Sequence, residues 1–283
     1  MENTSQGALS GTVRVSQHGN VKVHSYISPE DGLFTNTQIV EGSNSLVIFD
    51  GQLLLPYARE AAGYAKRLAK PAERIVLSHF HLDHWAGLSA FLEHFAPAKI
   101  YALPGIAEYL RENGQKIIDA RRPVWGDKIP THPIIPTAVL PEGRATIDGV
   151  NFEFRRYLDA EAAIQLVALM PDQRTLLGFD LVFAPDVHVF TLTPHFDNWI
   201  RILEEWEALQ DYDRILSGHG EPTDRTGISA TIAYLRKGRE VYPSARDAEA
   251  YAARMKSEFP DRQHPGWIDL SASILYHVVR AYD

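Results

Sequence analysis

Residues 78–87 read SHFHLDHWAG and follow directly on the compact apolar strand segment ERIVL at 73–77. In an extended segment successive side chains point to opposite faces, so His79, His81 and Asp83 share one side. His84 stands where the chain turns into a helix, and its direction of projection changes there. Three imidazoles and one carboxylate within six residues form a set suited to borderline divalent metals, because zinc accepts imidazole and carboxylate ligands besides thiolate. The bland alternative is a His-rich polar loop, and a lone histidine would favour it. Four ligand-type side chains at this spacing do not. The chain contains no cysteine, which excludes disulfides and leaves His, Asp and Glu to hold any transition metal.

Working outward, the segments VRV (13–15), VKVHSYI (21–27), TNTQIV (35–40) and SLVIFD (45–50) are β-branched or aromatic runs separated by turn residues, and read as strands. PYAREAAGYAKRLA (56–69) has helical spacing. Beyond the histidine cluster the pattern predicts a helix over 86–94, a strand at AKIYAL (98–103) and a long helix from Pro104 to about Asp119. The Pro-rich, irregular stretch over 123–150 reads as a loop region ending in a strand, and strands follow at VNFEFRRYL, AIQLVALM and TLLGFD. A helix is expected over 197–210, a strand at DRILSG (213–218), and mostly helix from 224 onward. Two sheets packed face to face with helices outside is the simplest layering of such a series. The expected organisation is one catalytic domain over 1–222 with a helical C-terminal extension over 223–283 packed on it.

The 283 residues are 45% hydrophobic, enough for a sizeable core, and carry a net charge of −8. That acidic balance, without any basic cluster, argues against a nucleic-acid partner. The longest apolar runs fall short of the ~20 residues that cross a bilayer. The polar N-terminus MENTSQGALSGTVRV has no leader-like pattern. A cytoplasmic protein acting on a small molecule, away from the membrane, is therefore expected.

The stretch His79–His84 resembles the HxHxDH signature of the metallo-β-lactamase superfamily and matches it at every fixed position. The resemblance implies a four-layer αββα sandwich and further ligands at downstream strand ends. Asp180, closing TLLGFD, fits the bridging carboxylate, and His219, in DRILSGHGEP, fits the late histidine. Asp50, closing SLVIFD, fits the early aspartate that supports the ligands from behind. One position departs from the pattern. Where most hydrolases of the superfamily carry a third histidine for the first metal, this chain has Glu161 in RRYLDAEAAIQL, and no histidine lies between His132 and His188. Either Glu161 replaces the imidazole or the first site is incomplete. Asp159 is a weaker candidate for the same task, and His188 could turn back to the metals instead.

The activity implied is hydrolysis by a metal-activated water, with Asp83 orienting the nucleophile as well as binding metal. The bond would be an ester, lactone, thioester or amide of a small molecule, a choice that a fold cannot make. Two zinc ions are the expected cofactors. A ligating Glu161 lowers the positive charge of the site and moves preference toward iron or manganese. The competing readings are an iron-dependent oxidoreductase on the same fold, persulfide dioxygenase-like, and a non-catalytic binding protein with a partial metal site. Trp85, Trp125 and His188 are candidate pocket residues. Trp267, Leu270, Ile274, Leu275 and Val278 form an apolar stripe at helical spacing that packs on the domain, covers the site as a lid, or makes a homodimer contact.

Overall fold

The computed structural model describes residues 9–282, with side chains described up to Tyr276. The expected stripe residue Val278 and the first eight residues of the polar N-terminus lie outside that description. Strands β1 (Thr12–His18), β2 (Val21–Ile27), β3 (Asn36–Glu41) and β4 (Leu46–Phe49) form an antiparallel meander. Helix α1 (Leu55–Arg67) leads to β5 (Ala72–Leu77), the short helices α2 (Leu82–Trp85) and α3 (Leu88–His94), and β6 (Lys99–Ala102). Helix α4 (Ile106–Trp125) and the two-residue β7 (Ala138–Val139) complete the first half. The second half holds β8 (Gly143–Ile147), β9 (Val150–Leu158), β10 (Ile164–Met170), β11 (Thr175–Phe179), α5 (Phe196–Ala208) and β12 (Arg214–Ser217). Helices α6 (Arg225–Val241), α7 (Ala248–Glu258) and α8 (Pro265–Tyr282) close the chain.

The strands make two sheets, β1 to β7 in sequence order and β12-β11-β10-β9-β8. The sheets pack face to face with helices on their outer sides, the αββα layering expected from the sequence. Strand β10 shows why the stretch from Leu166 to Met170, after the buried Gln165, is an unbroken apolar run. Leu166, Ala168 and Met170 face the core between the sheets, while Val167 and Leu169 face the core shared with α5 to α8. Alternate residues of a strand covered on both sides must all be apolar. Helix α1 lies flat on the first sheet through Ala58, Ala61, Ala62 and Ala65, a stripe at helical spacing whose small side chains permit close approach.

Two elements differ from expectation. The helix expected over 86–94 is interrupted at Gly87, where an added Cβ would sit 2.1 Å from the Gly51 carbonyl oxygen. That contact binds the histidine segment to the loop carrying Asp50, and only glycine allows it. Helix α4 runs on through Pro123 to Trp125 before Gly126, at φ 55, ends it. A proline in the last turn removes one donor without breaking a helix that is about to stop. Among the described residues no helix is long and apolar enough to cross a membrane.

Candidate metal centre

Every residue singled out around SHFHLDHWAG, apart from His188, arrives at one end of the sandwich. Strands β4 and β5 run parallel, as do β11 and β12, so the segments leaving their C-terminal ends emerge together. Asp50 follows β4, His79 to His84 follow β5, Asp180 follows β11 and His219 follows β12, while Glu161 immediately precedes the antiparallel β10. The two sheets are joined at this end by the Leu166 N–H donating to the Ser78 carbonyl at 2.9 Å.

Two groups of potential ligands result, His79–His81–Glu161–Asp180 and Asp83–His84–Asp180–His219, each with its ligand atoms within 4.8 Å of one another. Asp180 belongs to both. Its Oδ2 lies 3.7 Å from His79 Nε2, 3.3 Å from His84 Nε2 and 3.2 Å from His219 Nε2. Glu161 approaches His81 Nδ1 at 3.0 Å through Oε1 and His79 Nε2 at 3.7 Å through Oε2. Asp83 Oδ2 is 3.2 Å from His219 Nε2.

Behind these atoms stand partners that orient them. Asp50 has φ 64, a left-handed conformation that aspartate tolerates. It accepts from the Ser78 N–H at 2.8 Å and the Ser78 hydroxyl at 2.7 Å, and faces His84 Nδ1 at 2.9 Å. With Nδ1 turned to a carboxylate, His84 presents Nε2 to the cluster. His219 sets Nδ1 against the Leu33 carbonyl at 2.8 Å, and its ring stacks on Phe183 and meets Phe190 and Trp267 edge-on. The turn carrying His219 is itself held from the first sheet, by the Asn36 amide donating to the Ser217 and Gly220 carbonyls.

The electrostatics describe a pit that attracts cations. Burial acts to raise the Asp180 and Asp83 carboxyls, yet the imidazoles around them prevail and hold both well below the usual range. His84 is pulled down by burial and carried well above its ordinary value by Asp180, Asp83 and Asp50. His219 is pushed up to about 10, burial again being overcome by Asp180 and Asp83. Burial dominates in Glu161, raising its carboxyl against the pull of His81. Both Glu161 oxygens, Asp180 Oδ1 and His84 Nε2 are buried without a hydrogen-bond partner. Buried polar atoms so left carry a large penalty, and a divalent cation on these N and O donors removes it. The surroundings leave no slack. A Cβ at Gly218 would lie 1.7 Å from Asp180 Oδ1, and Phe179, just before Asp180, sits at φ 47, a costly conformation for a bulky side chain.

Glu161 is fully buried among the histidines, whereas Asp159 is exposed and takes no part. His188 does not turn back to the cluster, contrary to that alternative. Its Nδ1 faces the Tyr234 hydroxyl at 3.0 Å, and its backbone N–H donates to Gln263, which fixes the ring within the helical layer. Trp85 is a core residue with its indole N–H on the Phe80 carbonyl, while Trp125 does line the space above the site. That space is a cavity of about 670 Å3 bounded by His81, Asp83, Asp180 and His219 at its base and by side chains of α4 and α8. Sequence reasoning missed Gly218, Asn36, Arg121 and Phe190. The Gly-His-Gly turn marked Gly218, but nothing in the sequence pointed to the other three.

Residues 31–219 match the metallo-beta-lactamase superfamily, and the chain belongs to that family. Among curated proteins it is 27% identical to an alkyl/aryl-sulfatase of Saccharomyces cerevisiae over 275 residues, spanning 81% of this chain and 41% of the relative. It is also 25% identical to a linear primary-alkylsulfatase of Pseudomonas over 247 residues, spanning 75% of this chain and 45% of the relative. The chain thus spans less than half the length of these relatives. Among solved structures, a metallo-beta-lactamase from Pontibacter korlensis superimposes with TM-score 0.61 at 17% identity, over 80% of this chain and 99% of that one. The inverting sec-alkylsulfatase of Pseudomonas superimposes with TM-score 0.63 at 20% identity, over 89% of this chain and 48% of that one. At these identities the structures establish the shared fold.

Proposed function

We propose that this protein is a metal-dependent hydrolase of esters carried on elongated apolar groups, with organic sulfate esters as the leading substrate class. The observation that carries the reading is the pair of buried ligand groups sharing Asp180 at the base of an apolar cavity. The sulfate ester is favoured by similarity to alkylsulfatases, and the apolar group by the cavity walls.

In this reading His79, His81, Glu161 and Asp180 hold one ion, and Asp83, His84, His219 and Asp180 hold the other. Zinc is the first expectation, although the carboxylate count keeps iron and manganese open. When bound, such ions supply Lewis acidity and acidify a water toward neutral pH. Asp83 reaches the cavity and is the acceptor that orients the attacking water. Asp50 keeps His84 in the tautomer that points Nε2 inward. Phe190 and Leu192 exclude bulk water from one side of the base. Water adds, the ester bond breaks, and an alcohol and hydrogensulfate leave.

The test is elemental analysis of the purified protein alongside release of sulfate from decyl sulfate, with decyl acetate as the carboxylic-ester control. About two equivalents of metal with sulfate release are expected. Hydrolysis of the acetate alone would move the substrate class to carboxylic esters. Bound iron with oxygen consumption would replace hydrolysis by an oxidative reading, and a metal-free protein would leave a binding protein.

A further inference from the structure

The cavity above the metal centre has a direction. At the base, Phe80, between His79 and His81, stacks its ring on Tyr109 of α4 at 4.1 Å. From Tyr109 the cavity-lining face of α4 continues through Ile117, Arg121 and Trp125, residues four or eight apart and therefore on one side of the helix. The facing wall has the same polarity. Trp267 of α8 meets His219 edge-on at 5.6 Å, and Leu270 and Ile274 follow one another outward along the cavity. Arg121 lies twelve residues beyond Tyr109, about 18 Å along the helix axis.

Among the described residues, Arg121 is the one permanently charged cation in the lining. Among the described residues no carboxylate or carbonyl pairs with its guanidinium. A guanidinium half-buried in an apolar wall without an anion leaves a strong donor set unused, and that set is shaped for a carboxylate, sulfate or phosphate.

We infer that Arg121 is a specificity residue. The substrate carries an anionic group at the end remote from its scissile ester, and an apolar spacer lies between the two along Ile117, Leu270 and Ile274. The inference rests on the hydrolase reading for the reacting end only, because recognition at Arg121 requires binding and not turnover.

The experiment pairs decyl sulfate with its ω-carboxylate analogue as substrates. It also pairs decanesulfonate with its ω-carboxylate analogue, whose carbon–sulfur bond is not hydrolysed, as ligands in calorimetry. The native protein should favour the carboxylate-ended member of each pair about 10- to 100-fold, as befits one charge-assisted contact. In turnover the difference should fall on KM. Arg121→Leu should abolish the preference while leaving metal content and turnover of decyl sulfate in place, and Arg121→Lys should keep part of it. Preference in binding without turnover would uphold this inference and remove the hydrolase reading. Turnover with equal use of both members, or a preference that survives Arg121→Leu, would overturn the inference and leave the hydrolase reading intact.

Discussion

The two halves of the metal centre contain the same kinds of atoms, and they are supported very differently. In the Asp83–His84–His219 half, each imidazole has a fixed partner behind it, Asp50 for His84 and the Leu33 carbonyl for His219. Aromatic rings also pin His219. In the His79–His81–Glu161 half, His79 has Ser78 Oγ at 2.9 Å. Among the described residues His81 Nδ1 has His79 and Glu161 within reach, and no well-aligned hydrogen-bond donor meets the Glu161 oxygens. In the proposed two-ion site one half is therefore braced by protein partners, while the other would rely on a bound ion to order Glu161. Preorganised ligands bind more tightly because less is lost on binding.

The largest effect should come from the residue the halves share. Asp180→Asn should remove both ions and lower kcat/KM about a thousandfold or more, the loss of several kcal/mol of transition-state stabilisation. Metal content by elemental analysis, with circular dichroism to confirm folding, checks it. Retention of two ions would break the account of a shared carboxylate. Next, Glu161→Gln should cost one equivalent of metal and about a hundredfold in activity. In the native protein a graded chelator should strip the Glu161 half first. Simultaneous loss of both ions would erase the difference between the halves.

Weakening the braced half is the converse test. Asp50→Asn should lower metal affinity about 10- to 100-fold, read by competition with a fluorescent chelator, and should make the two ions leave together. The smallest effect on metal belongs to His188, which stands outside both halves. Burial, aided by Arg262 and Lys256, lowers its imidazole from 6.5 to about 4. Between those values the unfolded chain takes up a proton that the folded chain refuses. Stability is therefore full above pH 6.5 and falls as pH drops toward 4, by up to about 1.4 kcal/mol per pH unit. His188→Gln should flatten that fall in chemical denaturation while leaving metal content unchanged. An altered metal content would return His188 to the site.

Much of the centre was legible because its ligands leave strand ends in recognisable local patterns. SHFHLDHWAG keeps four candidates within one turn of chain, and SGHG and LLGFD mark two more. Glu161 was harder, since a single carboxylate in a loop looks the same whether it is solvated or buried among histidines. Its complete burial follows from β10 and β11 pairing so that their site-end loops converge. The mistaken alternative at His188 had a similar origin, because eight residues of chain allow either direction and the packing of Tyr234 chose one.

By itself the sequence determined the alternation of strands and helices, the two-sheet layering and the chemical type of the ligands, because periodicity and residue type act over a few neighbouring residues. Tertiary structure decided which carboxylate stands beside His79 and His81, how far each half is braced, and that α4 and α8 face each other across a cavity leading to Arg121. Those properties depend on distances between segments far apart in the chain, and such distances exist only once both sheets and their helices have packed.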